Sequence, residues 1–163
     1  MRKVSHFVAL VMISMSLLFI DFLTKAYVFY LLPLFHGREV FHDVLGIDFS
    51  IALTANRGAA WGLLADFQLL LMVVRILVIL GLLIYLCFIN RDKQYTLPLT
   101  LLTTGAIGNV VDYFLYGYVI DFFQFNLWGY HFPVFNVADI LITISVGWLL
   151  VIGCFYKRNP SNV

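Results

Sequence analysis

Residues 136–156 read NVADILITISVGWLLVIGCFY. From Val137 to Tyr156 the stretch holds a single charged residue, Asp139. A helix that crosses a bilayer needs about 20 mostly apolar residues, whereas a helix on a soluble protein keeps a polar face. The stretch therefore predicts a transmembrane helix. Three other stretches have the same character, at 7–31, 67–89 and 96–116. Together they predict a membrane all-α fold of four transmembrane helices, in a single integral membrane domain over 1–163.

Composition agrees. The chain is 63% hydrophobic and 12% charged, with a mean hydropathy of +0.97. A soluble domain is roughly 45–50% apolar and about 25% charged. A net charge of +1 over 163 residues gives no basic footprint for nucleic acid. At the N-terminus, Arg2 and Lys3 precede an apolar run, as in a signal peptide. No small-residue cleavage pattern follows, and the run continues past Asp21 to about Leu34. The expectation is an uncleaved first helix.

The links set the orientation. Residues 90–95 form a short charged turn, 32–66 a long loop and 117–135 a medium loop. With four spans, Arg2, Lys3, Arg91, Lys93, Lys157 and Arg158 share one side. The other side carries Arg38 and Arg57, with Lys25 near it. The positive-inside bias makes both termini cytoplasmic and both longer loops external. In the first outer loop, Ile47, Phe49, Ile51 and Leu53 alternate with Asp48, Ser50, Ala52 and Thr54. Period two predicts a half-buried strand, and Val40 and Phe41 could supply its partner. A small extracytoplasmic β-sheet is expected over about 38–55, lying against the outer leaflet. Cys87 and Cys154 fall near the inner ends of spans, where free, buried thiols are expected, with no disulfide and no zinc site.

Charged residues inside spans are costly and are functional candidates. Their predicted depths coincide: Asp21 and Lys25 in the first helix, Arg75 in the second, Asn109 and Asp112 in the third, and Asn136 and Asp139 in the fourth all fall toward the outer side. Asp121 lies just past the third helix. Asp21 and Lys25 are four apart and can pair. Asn109 and Asp112, like Asn136 and Asp139, are three apart and share a face. A structural ion pair explains the first pair equally well, interhelical hydrogen bonding the second, and a plain loop carboxylate would explain Asp121. Asp139 resists such an account, because it sits in an apolar helix with no cation beside it.

Two close carboxylates share one proton. The ionised one takes a proton from water while the protonated one polarises a carbonyl. His6, His36, His42 and His131 lack metal-ligand spacing, and no serine sits in a nucleophile elbow. Gly58-Ala-Ala-Trp-Gly62 suits close packing at a loop end. A proton relay in a small transporter could use the same carboxylates, but would spread polar groups through the membrane depth. A non-enzymatic assembly subunit would use them as interhelical glue.

Five motifs then occur in order: Asp21-Phe-Leu-Thr-Lys25, Asn56-Arg-Gly-Ala-Ala-Trp-Gly62, Gly108-Asn-Val-Val-Asp112, Gly117-Tyr-Val-Ile-Asp-Phe122 and Phe135-Asn-Val-Ala-Asp139. Together they resemble the signal peptidase II family over about residues 17–145. The resemblance implies an aspartic endopeptidase of the bacterial inner membrane. Such an enzyme removes signal peptides from diacylglyceryl-modified prolipoproteins, cutting just before the lipidated cysteine. It implies Asp121 and Asp139 as the catalytic pair, and Asp21, Lys25, Asn56, Asn109, Asp112 and Asn136 as supporting or substrate-holding residues. No metal or cofactor is implied. The partners expected are the lipid-modified prolipoprotein and membrane lipids, with the enzyme as a monomer. The small outer sheet also fits the family. One position departs: the family usually has Arg after the Asn-x-x-Asp aspartate, and this chain has Tyr113. Arg75 or Arg57 is expected to supply that cation.

Overall fold

The structure is a computed structural model that describes residues 2–32, 37–58 and 67–155, with side chains from residue 6 onward. The expected packing of Ala59–Gly62 and the basic pair Lys157 and Arg158 lie outside the described residues. Four long helices form: α1 (Arg2–Leu31), α2 (Gln68–Ile84), α3 (Lys93–Tyr116) and α4 (Val137–Phe155). A π-helical turn, Tyr85–Ile89, continues α2. Asp92 starts α3 by accepting the Gln94 amide at 3.2 Å. Gly117 ends it at φ 78°, donating its N–H to the Tyr113 carbonyl at 2.9 Å.

Among the described residues three helices are long and apolar enough to cross a membrane: His6–Leu31, Gln68–Ile89 and Val137–Phe155. The fourth expected span, α3, is more polar, and its position explains this. It packs against α1, α2 and α4, so much of its surface meets protein. Its buried residues include Thr103, Thr104, Gly105, Gly108 and Asp112. Thr100, Thr103 and Thr104 donate to carbonyls four residues back in their own helix. Gly105 permits the close approach of α4, since a Cβ there would lie 2.6 Å from the Ala138 carbonyl oxygen.

The sheet is larger than the alternation at 47–54 predicts. It has four antiparallel strands in sequence order: β1 (Gly37–Val44), β2 (Ile47–Asn56), β3 (Val119–Leu127) and β4 (Tyr130–His131). The expectation of a loop over 117–135 is thus corrected. Most of the β3 ladder is made with β2, which lies far back in the chain, and the alternation of Phe123, Phe125 and Leu127 with Gln124 and Asn126 is its local mark. The period-two reading of β2 also fails at one point. Ala52 and Leu53 are consecutive and both buried, because the β2–β3 register shifts between Ile51 and Thr54. Val28, Leu53, Ile120 and Phe122 form the core where the sheet meets α1. Cys87 and Cys154 are free, and they lie on the exposed helix surface instead of being buried.

Both hairpin turns strain their first residue. Leu45-Gly46 has φ 57° and 79°, and Trp128-Gly129 has φ 50° and 83°. Two positive φ values make a type I′ turn, which favours Asn-Gly, and a bulky residue is unfavourable there. Leu45 is 86% exposed and gains little packing in return. Leu45→Asn is expected to stabilise the protein by about 1 kcal/mol, read as a higher unfolding midpoint in detergent. A lowered midpoint would contradict this account of the turn.

Candidate active site

The eight residues singled out in the sequence form one hydrogen-bonded network. Asn136 precedes α4 and accepts the Asp139 N–H on its side-chain oxygen at 2.9 Å. The Asp139 carboxylate in turn accepts the Asn136 N–H at 3.2 Å. This reciprocal capping box satisfies two backbone donors at the helix start. It also holds the Asp139 side chain at the mouth of the bundle. The other Asp139 oxygen accepts the Asn109 amide at 2.8 Å.

Asp121 reaches the same place from β3. Its Oδ1 accepts the Asn136 amide at 2.7 Å and its Oδ2 the Asn56 amide at 2.8 Å. Asn56 is itself held by a turn in which its oxygen accepts the Gly58 N–H at 3.0 Å. Burial pushes the Asp121 carboxyl up to about 7, and the nearby Asp139 charge adds to the rise. The two amide donors and Lys25 oppose it.

Behind this pair sits a buried cation. The Lys25 ammonium lies 2.7 Å from Asp21, 2.8 Å from Asp112 and 3.2 Å from the Asn109 oxygen. Asp21 accepts the Ala138 N–H of α4 at 2.8 Å, and Asp112 accepts the Ile120 N–H of β3 at 3.2 Å. Each of these acids thus fixes the backbone next to one of the two central carboxylates. Gly108 makes this possible: a Cβ there would lie 2.8 Å from the Asp21 Oδ2.

A cavity of about 710 Å³ opens beside the two carboxylates. Asn56, Arg57, Arg75, Asn109, Asp121 and Asp139 are among its lining residues, with Val119, Phe132, Phe135 and Ile142 as apolar wall. Arg75 donates to the Gly58 carbonyl at 2.9 Å. Tyr113 instead packs on the apolar cluster of Met72, Ile79 and Val110. Three features had no signal in the residues read singly: the backbone amides of Ile120 and Ala138, the spacing of Gly105 and Gly108, and the Arg75–Gly58 contact. Only the spacing could have been noticed, as a small-x-x-small pattern in a polar span.

Fold and site together define a helical membrane protein with a buried carboxylate centre at the junction of its helices and an antiparallel sheet. Comparison with known proteins carries this further. The family model for Signal peptidase (SPase) II matches residues 13–155. A lipoprotein signal peptidase of Chlamydia pneumoniae is 45% identical over 143 residues, 84% of each chain. One from Clostridium tetani is 42% identical over 68% of this chain and 71% of its own. One from Staphylococcus aureus is 36% identical over 74% and 73%. A solved bacterial membrane enzyme superposes with a TM-score of 0.77 at 28% identity, covering 93% of both chains. The chain belongs to the signal peptidase II family.

Proposed function

We propose that this protein is an aspartic endopeptidase that removes signal peptides from lipid-modified bacterial prolipoproteins, cutting just before the diacylglyceryl-modified cysteine. Family membership supports peptidase activity on this substrate class. The observation that carries the aspartic chemistry is the meeting of Asp121 and Asp139 on one cavity, each on amide donors. Among the described residues neither carboxylate forms a salt bridge. One of the pair holds a proton and polarises the scissile carbonyl; the other takes a proton from the attacking water. The pair titrates as a unit, so the two roles are assigned to the pair. No metal or cofactor takes part in this reading. Cleavage of a diacylglyceryl-modified prolipoprotein by the purified chain, and its loss in Asp121→Asn and Asp139→Asn, tests the proposal.

The same reading gives the topology. The domain crosses the bacterial inner membrane four times, α3 being shielded by its neighbours. Both termini are cytoplasmic by the positive-inside bias, and the site lies near the outer face. The substrate enters sideways, because its lipid and its signal helix both lie in the bilayer, and a single monomer carries the whole site. Asp21, Lys25, Asn56, Asn109, Asp112 and Asn136 support the pair or hold the substrate backbone.

Arg57 and Arg75 stand in for the cation that Tyr113 lacks, since both line the cavity. Arg57→Ala and Arg75→Ala are expected to lower kcat/KM by roughly tenfold, the worth of one charge-assisted hydrogen bond. Unchanged cleavage rates in both would remove this role.

A further inference from the structure

The buried ammonium of Lys25 touches neither of the two central carboxylates, yet it contacts a residue that touches one of them. Lys25 is fully buried. An ammonium has three donors and no acceptor. Here the three go to Asp21, Asp112 and Asn109. The third contact has a consequence for Asn109. An amide facing an ammonium must present its oxygen, which turns its NH₂ the other way. In this structure that NH₂ donates to Asp139 at 2.8 Å.

Asn136 also donates to the Asn109 oxygen, at 3.1 Å. Its hold is shared, however. The same nitrogen also serves the Ile120 carbonyl at 3.2 Å and Asp121 at 2.7 Å. An amide nitrogen has two hydrogens for these three acceptors. Lys25 is therefore the dedicated donor that keeps Asn109 in register.

The geometry points to Lys25 as a positioning residue of the peptidase: its ammonium fixes the Asn109 amide so that the N–H reaches Asp139. This role rests on the peptidase reading above. Lys25 acts through Asn109 and meets no reacting atom. A purely structural Lys25 would lower the amount of folded protein without changing the chemistry of the folded fraction. A positioning Lys25 changes kcat in protein that is folded.

Lys25→Met alone leaves Asp21 and Asp112 buried against each other and can fail to fold. Lys25→Met/Asp112→Asn has the same net charge as wild type and is the variant to use. It is compared with Asp112→Asn, with and without Asn109→Ala, on a diacylglyceryl-modified prolipoprotein. Only protein that melts cooperatively enters the comparison. Removing Lys25 in the Asp112→Asn background is expected to lower kcat by roughly tenfold or more with KM within about threefold, as for an interaction that acts on the chemical step. In the Asn109→Ala background the same change is expected to cost little further. The acid limb of the pH profile is expected to move to higher pH, because a cation near the carboxylates is gone. The charged and titratable groups facing this centre are Asp21 from α1, Arg75 from α2, Asp112 from α3, Asp139 from α4 and Asp121 from β3, with Arg57 on the cavity wall. Equal losses in both Asn109 backgrounds, or an unchanged kcat and pH profile, would overturn the positioning role and leave the peptidase reading standing. A wild type that cleaves nothing overturns both.

Discussion

Asp121→Asn and Asp139→Asn are each expected to lower kcat by roughly 10³-fold or more while the protein stays folded. General acid–base catalysis by one group is worth about 10²–10⁴-fold. Either substitution removes the shared proton system as a whole, so the double variant is expected to be little worse than either single one. The amide replacement nearly conserves shape, and its one carbonyl oxygen remains an acceptor. In Asp121→Asn that oxygen could still accept from Asn136 or Asn56. In Asp139→Asn it could still accept the Asn136 N–H, which preserves the capping box at the start of α4. Thermal unfolding in detergent separates lost chemistry from lost fold. Full activity in either variant would end the aspartic reading. The pH dependence adds a second check. Burial and the Asp139 charge raise Asp121 to about 7. A proton on Asp121 is therefore held up to about pH 7 and lost above. Cleavage is expected to fall as the pH rises past that value, because the group that polarises the carbonyl is then ionised.

Lys25→Met on its own is expected to cost roughly 3–5 kcal/mol of stability, the usual result of removing one partner from a buried ionic cluster. Lys25 is 0% exposed, Asp21 2% and Asp112 3%. Without the ammonium, two carboxylates are left in a buried site with one backbone N–H each, from Ala138 and Ile120. Those same N–H contacts anchor α4 and β3, so the damage spreads to both elements that carry the central pair. Lys25→Met/Asp112→Asn is expected to recover a good part of the loss, because it removes one charge of each sign. Denaturant or thermal unfolding of the three proteins in one detergent measures both effects. If Lys25→Met unfolds at the wild-type midpoint, the cluster is not holding these elements.

The sequence and the structure divide the explanation between them. The spans of α1, α2 and α4 were legible because a bilayer demands long apolar helices, and that demand is local. α3 was read as a fourth apolar span, yet it is more polar than the other three, because its polar residues are sheltered by three neighbours that only the packed bundle supplies. β2 could be read from its alternation, with Val40 and Phe41 pointing to β1 as its partner. β3 carries a comparable alternation at Phe123–Leu127 that the loop reading passed over, while its pairing with the distant β2 is set only by the fold. The motif order carried the site residues as candidates, and same-face spacing grouped Asn109 with Asp112 and Asn136 with Asp139. Spacing could not say which carboxylates face the cavity. By depth alone Asp21 and Asp112 rank equally with Asp121 and Asp139.

The motif resemblance separated the two pairs by analogy, and the tertiary structure supplies a physical difference between them. Lys25 reaches both Asp21 and Asp112 and gives each an ion-pair partner, while Asp121 and Asp139 receive only uncharged amide donors. The sequence by itself determined that the charges inside the spans must be gathered together, since isolated charges are costly in hydrocarbon. Which charges are paired and which are left without an ionic partner depends on distances across several elements. Such distances follow from packing, as at Gly105 and Gly108, where the absence of a side chain lets α4 and Asp21 approach α3.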